Sequence, residues 1–222
     1  MAQFKTTKAP NLVISENDYK IDNESQFRNQ LRLYFNQVDS GFEQILIDEG
    51  GSNLSFPHIA ASDSTDQIAG GNNTATAVKF NTLESGGGWT LNSPGSATAE
   101  YSGVYRITFR LQFINTANAN HYVTAWLKVD NVDVVDSATI FTIPARKSAS
   151  PSEEGYLAAY SEATFNVTAG QEIELYWATD LAGNPTTPTD GVFMLHDAVQ
   201  ASPFARPAIP SATGSITFVS RT

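Results

Sequence analysis

The chain has 222 residues, of which 41% are hydrophobic, so it holds enough apolar material for a sizeable core. Charged residues make up only 16%, against roughly 25% in an average soluble protein, and the net charge is −10. An acidic chain lacks the basic face that follows a nucleic-acid backbone. No apolar run approaches the ~18 residues that insert into a membrane. The absence of cysteine excludes disulfides, thiolate nucleophiles and cysteine-ligated zinc.

The first 20 residues are polar and predict an extended tail. Residues 1–10 contain no apolar stretch of the kind that forms the centre of a secretory signal peptide. We therefore expect the protein to be assembled in the cytoplasm of the cell that makes it.

From Asp22 to Leu46 the pattern predicts an amphipathic helix. Asp22 or Asn23 can cap its first turn, and apolar residues then recur at steps of three and four, with Leu33 and Tyr34 widening the stripe. The residues expected to anchor the chain to a particle or to form a trimer are Phe27, Leu31, Tyr34, Phe35, Val38, Phe42 and Ile45. Gly41 costs about 1 kcal/mol relative to alanine, so the helix depends on packing. Two interpretations stay open: the helix packs on its own domain, or it self-associates or docks to another protein.

Residues 48–53 (DEGGSN) predict a hinge, because two glycines stand among polar residues. After this point apolar residues recur at every second position, as in a strand, and no longer with the period of a helix. We therefore expect two domains: residues 1–50, with the tail and the helix, and residues 51–222.

The second domain reads as strands and turns. In residues 103–113 Tyr105, Ile107, Phe109, Leu111 and Phe113 alternate with polar residues, which is typical of a half-buried strand. Further strands are predicted at residues 123–129, 132–135, 165–167, 173–177 and 214–219. Turns are expected at Asp130-Asn131 and at residues 168–171, and loops at residues 85–88, 148–155 and 181–190. The pattern predicts an all-β sandwich of about 170 residues.

No motif in the chain predicts catalysis or metal binding. His58, His121 and His196 are too scattered to form a site by spacing. The series Asp130, Asp133, Asp136 lacks the alternate-position ligands of a calcium loop, and residues 86–88 lack the lysine that a phosphate-binding loop requires. We therefore expect no cofactor, no metal and no enzymatic activity.

Two parts of the second domain are candidates for recognition. The loops at residues 148–155 and 181–190 are expected at an end of the sandwich, where loops carry variable function. The polar and aromatic residues expected to contact a sugar or protein receptor are Asn120, His121, Tyr122, Trp126 and Tyr176. Trp126 and Tyr176 have an alternative interpretation, as packing residues in the core or at a trimer axis.

Several motifs resemble one known superfamily when they are taken in order. They are Val78 and Phe80, Trp89, Gly103-Val104-Tyr105, the hairpin at residues 123–135, the turn at residues 167–171 and the closing strand at residues 216–219. From about Thr74 onward this order resembles the tumour-necrosis-factor and complement-globular-head superfamily, although Gln171 replaces the usual acid. The resemblance implies a jelly roll of about ten antiparallel strands and a homotrimer about a threefold axis. It also implies binding and assembly rather than catalysis.

Residues 30–39 (QLRLYFNQVD) resemble the N-terminal segment of virion structural proteins from short-tailed bacteriophages. The two resemblances together imply a trimeric capsid decoration, fibre or knob protein of a bacteriophage virion. Its N-terminal segment would dock to capsid or tail proteins, and its jelly roll would project. The alternative is a tail-fibre-type module that recognises bacterial surface glycan.

Overall fold

The computed structural model describes residues 21–46, 56–149, 152–186, 189–201 and 204–221, and the side chains of these residues except at 40–46, 149 and 152. The expected tail (1–20) and hinge (48–53) lie outside these ranges. The chain divides into two compact units, Met1–Ser55 and Phe56–Thr222.

Helix α1 spans Ile21–Leu46 in the first unit. The prediction that Asp22 or Asn23 caps the helix is wrong, since the helix begins before both residues. Asp22 and Glu24 instead lie in the first turn. A negative charge there interacts favourably with the unpaired amide groups and with the positive end of the helix dipole. Among the helical residues that the structure describes, no stretch combines the length and apolarity needed to cross a bilayer.

The described part of the second unit is built from strands. In chain order they are β1 (His58–Asp63), β2 (Thr76–Ala77), β3 (Thr82–Gly87), β4 (Trp89–Leu91), β5 (Ala97–Ala99), β6 (Gly103–Asn115), β7 (His121–Val129), β8 (Val132–Asp133), β9 (Thr139–Ile143), β10 (Ser148–Ala149), β11 (Ser152–Glu153), β12 (Gly155–Val167), β13 (Glu172–Thr179), β14 (Val192–Met194) and β15 (Ala212–Ser220).

Two antiparallel sheets form a sandwich, as the sequence predicts. Sheet A has the order β12-β6-β15-β1-β3, with β14 also paired to β6. Sheet B has the order β4-β5-β13-β7-β8, with β2 paired to β13 and β9 to β7. Strands β10 and β11 form a separate hairpin. The fold is therefore the expected all-β jelly-roll type, with some strands divided into short segments.

The core lies between the two sheets and depends most on β6. The five inward side chains predicted on β6, from Tyr105 to Phe113, are all buried. They pack into one cluster with inward residues of β7 and β13, including Leu127 and Trp177. The ring of Trp89 meets the ring of Tyr105 edge-on, with centroids 4.9 Å apart. The alternation in the sequence therefore identified the inner face of β6 correctly.

Three local predictions are wrong. Residues 85–87, expected in a loop, belong to β3, because hydrogen bonding to β1 extends this glycine-rich segment as an edge strand. Residues 148–155, also expected to be a loop, contain the hairpin β10–β11 and the start of β12. The strand predicted at residues 132–135 ends at Asp133, and Val135 is 85% exposed.

The two faces of β6 predict a contrast between adjacent residues. Phe109 is buried in the core, whereas Arg110 is exposed on the outer face. Phe109→Ala should lower the free energy of unfolding by about 3–5 kcal/mol through lost apolar burial and a cavity. Arg110→Ala should lower it by less than about 1 kcal/mol. Thermal and urea melts of both variants check this, and the reverse order would contradict the register of β6.

Candidate functional site

Helix α1 carries large apolar side chains that are exposed to solvent. Phe35 and Leu33 are each 58% exposed and Phe27 is 38% exposed. Leu31, Tyr34 and Val38 are half-buried. Phe42 and Ile45 lie in the last turns of the helix, but their side chains are outside the described residues. The predicted anchoring residues therefore share one helix, and their role in anchoring stays a prediction.

The predicted receptor residues all lie on or beside sheet B. Asn120 precedes β7, and its Oδ1 accepts a hydrogen bond from the backbone N of Ala145 at 2.8 Å. His121 and Tyr122, which follow Asn120, are joined to the end of β13 by Asp180. His121 Nδ1 lies 3.0 Å from Asp180 Oδ2, and the backbone N of Tyr122 donates to Asp180 Oδ1 at 2.9 Å. The Tyr122 side chain is 54% exposed.

The Asp180 carboxylate is a structural link between these strands. Partial burial favours its neutral form, but the hydrogen bonds from His121 and from the backbone N of Tyr122, with the charge of His121, outweigh burial. The pKa of Asp180 is therefore held below its ordinary value of 3.8. The link is complete when the carboxylate is ionised.

Trp126 and Tyr176 are directly paired across β7 and β13. Their ring centroids are 6.0 Å apart, and Lys128 Nζ lies 4.4 Å from the centroid of the Tyr176 ring. Trp126 Nε1 donates to Asp133 Oδ1 at 2.8 Å. Both rings lie on the outer face of sheet B and are half-buried. The alternative interpretation of these two residues as core packing is therefore wrong, because their neighbours in sequence face the core instead.

Sequence reasoning missed a cleft of about 490 Å³ on the outer face of sheet A. One row of side chains crosses four strands of its floor: Tyr160 of β12, Arg110 of β6, Thr213 of β15 and Ser62 of β1 are register partners in turn. No predicted site residue lines this cleft. Alternation along β6 places Arg110 outward, but only the strand order shows which residues stand beside it.

One wall of the cleft comes from the segment between β14 and β15. His196, Ala208 and Pro210 of this segment line the cleft. Asp197 and Ile209 exchange backbone hydrogen bonds of 2.9 and 2.7 Å, which folds the segment back on itself. An ion pair between Arg206 and Asp197 holds the same fold. Hydrogen bonds and an ion pair therefore hold the described residues of this wall in place.

In the described ranges no cluster of three or more histidine, aspartate or glutamate side chains is arranged to hold a metal ion. No protein-family model matches the chain. No curated protein matches it either.

Among solved structures, the chain is similar to the globular domain of zebrafish complement 1qA protein. The identity is 12%, the TM-score is 0.42, and the match covers 75% of this chain and 99% of that chain. These comparisons do not test the resemblance of residues 30–39 to bacteriophage proteins, which stays a prediction.

The link through Asp180 predicts a pH-dependent contribution to stability. Because its pKa is lowered by folding, the contribution is present above the unfolded pKa near 4 and is lost as the pH falls through the folded value. Asp180→Asn should destabilise the protein at pH 7 by up to about 1 kcal/mol, since the carboxylate is partly exposed.

Melts at pH 7 and at pH 3 measure this effect. The difference between the Asp180→Asn variant and the unmodified protein should shrink at pH 3. Asp136→Asn, which removes the same charge at an exposed turn, serves as the control and should differ little from the unmodified protein at either pH. A difference for Asp180→Asn that is equal at both pH values would contradict the role of its ionised form.

Proposed function

We propose that this protein is a structural component of a bacteriophage virion that docks to the particle through α1 and displays the β-sandwich. The observation that carries the proposal is the exposed apolar surface of α1, which includes Phe35 at 58% and Phe27 at 38%. Contiguous exposed apolar residues rimmed by polar ones mark protein–protein contact sites. The sandwich has its own buried core, so it does not need the helix to complete that core.

We further propose that the protein is a homotrimer. The support is the three-and-four spacing of apolar residues in α1 and the jelly-roll resemblance of residues 74–222. Three helices in register would hold the particle more tightly than one, because each bound helix raises the effective concentration of the others. The capsid or tail proteins of the virion are the partners in this proposal.

The virion location rests on the resemblance of residues 30–39 to short-tailed bacteriophage proteins. The lack of cysteine agrees with assembly in a reducing bacterial cytoplasm. On this proposal the protein is not an enzyme and needs no cofactor, since its work is to bind and to be displayed.

Incorporation into particles tests the proposal. Full-length tagged protein, expressed in a host infected by the phage that encodes it, should be found by mass spectrometry in gradient-purified virions. Phe35→Ser should reduce its copy number at least about tenfold, the effect of losing one buried aromatic anchor. Leu33→Ser is the matched control, because Leu33 is equally exposed but does not belong to the series of apolar residues at steps of three and four.

The mass of the same proteins in solution tests the trimer. The unmodified chain should have three times the monomer mass at micromolar concentration in mass photometry. A stable monomer would contradict the trimer. Absence from purified virions, or equal losses for Phe35→Ser and Leu33→Ser, would contradict docking through this face of α1.

A second candidate function, recognition of a bacterial surface glycan, is favoured by the Trp126–Tyr176 pair. Two adjacent aromatic rings on the solvent side of a sheet, flanked by Lys128 and Asp133, offer a stacking surface with polar groups beside it. On an array of neutral host surface polysaccharides, Trp126→Ala should abolish any signal that the unmodified protein gives. Tyr156→Ala, which removes an exposed ring from sheet A, should leave it unchanged.

A further inference from the structure

We propose that the cleft on sheet A binds a saccharide that carries a carboxylate, and that Arg110 pairs with that carboxylate. The site lies on the other sheet from the Trp126–Tyr176 pair. The proposal goes beyond the virion role and does not depend on it. The strand register brings the charge of Arg110, the ring of Tyr160 and several hydroxyl groups together on the floor of the cleft.

Arg110 is an exposed cation in the cleft, and no ion pair joins it to any residue in the described ranges. Arg106, four residues earlier on the same face of β6, is paired with Glu162 through a contact of 2.7 Å. The two arginines therefore differ in whether their charge is already matched. The planar guanidinium of Arg110 remains free to bind a carboxylate through two parallel hydrogen bonds.

The ring of Tyr160 lies beside Arg110, because the two residues are register partners on β12 and β6. Tyr160 is 58% exposed, and its hydroxyl lies 3.3 Å from Glu162 Oε2, which orients the ring. An aromatic side chain of this kind presents an apolar face with a polar tip. It can therefore stack on the apolar face of a sugar ring whose carboxylate is held by Arg110.

The other end of the floor offers acceptors for sugar hydroxyls. A β-bulge between Ala60 and Ala61 leaves Glu84 of β3 without a register partner, and Glu84 Oε1 accepts a hydrogen bond from Ser62 Oγ at 2.6 Å. Glu84 lies three strand spacings, or ~14 Å, from Arg110. Near Glu84 a second anionic group of the ligand would be repelled, whereas a hydroxyl group of the ligand could donate a hydrogen bond to the carboxylate.

The size and the lining of the cleft also fit a short oligosaccharide. A volume of about 490 Å³ falls within the range of roughly 300–1,000 Å³ for small-molecule sites. Ala208 and Pro210 form apolar parts of the wall, and Thr213 and Ser215 add hydroxyl groups to the floor. Such a site, largely apolar with a few converging polar groups, is the usual form of a specific ligand pocket.

Isothermal titration of the full-length protein with cellobiouronic acid, a disaccharide with a single carboxylate, tests the proposal. Saturable binding with one site per chain is expected. Arg110→Gln should weaken the affinity at least about tenfold, since a charge-assisted bidentate contact is lost. Arg32→Gln is the control: it removes the same charge from an exposed arginine of α1, away from the residues of the cleft, and should change the affinity less than about twofold.

Three further titrations distinguish the sources of binding. A neutral disaccharide and inorganic sulfate should each bind at least about tenfold more weakly than cellobiouronic acid. Equal binding of sulfate would show a simple anion site and would overturn the saccharide proposal, as would saturable binding that Arg110→Gln leaves unchanged. Trp126→Ala should not affect the titration, and a loss of binding in that variant would place the saccharide on sheet B.

The mass of the Arg110→Gln variant completes the test. If the variant keeps the oligomeric state of the unmodified protein and no longer binds cellobiouronic acid, the cleft is the site. If it changes the oligomeric state, the cleft is an interface between copies and the proposal is wrong. Failure of virion docking by the Phe35→Ser variant is a separate result, because that variant should still bind the saccharide.

Discussion

The inward packing of β6 is the constraint on which the rest of the structure depends. This strand lies inside sheet A, where it pairs along its length with β12 and β15. Tyr105 and Phe113, near its two ends, are both fully buried, and each meets the ring of a tryptophan, Trp89 and Trp177 respectively. Because side chains alternate along a strand, this buried set also determines which residues face solvent. A slip of one residue would bury Arg110 and expose Phe109.

The alternation of side chains along the strands also determines the chemistry of the outer face of each sheet. On sheet B, alternation on β7 and β13 buries Leu127 and Trp177 and turns Trp126 and Tyr176 to the outside. On sheet A, the same rule turns Arg110 outward beside residues of three other strands. A segment held by backbone hydrogen bonds then closes one side of that face. Both proposed recognition surfaces therefore lie on the faces of the sandwich.

The sequence alone was sufficient to predict features that depend on local periodicity. The alternation of β6 and the turn at Asp130-Asn131, whose residues have φ of 50° and 64°, are of this kind. It was insufficient where a distant partner decides the structure. Residues 82–87 are a strand because β1 lies beside them, and their glycines by themselves favour a turn. The cleft was not predictable, because the strands that carry Ser62, Arg110 and Tyr160 become neighbours only on folding.

Thiol labelling of β6 tests the central claim most directly, because the chain has no cysteine of its own. Single cysteines can be placed at Arg106, Ile107, Arg110 and Leu111 and exposed to a maleimide under native conditions. If β6 has the register described, Arg106→Cys and Arg110→Cys react rapidly, while Ile107→Cys and Leu111→Cys react only on unfolding. Fast labelling at positions 107 and 111, with protection at 106 and 110, would contradict the account.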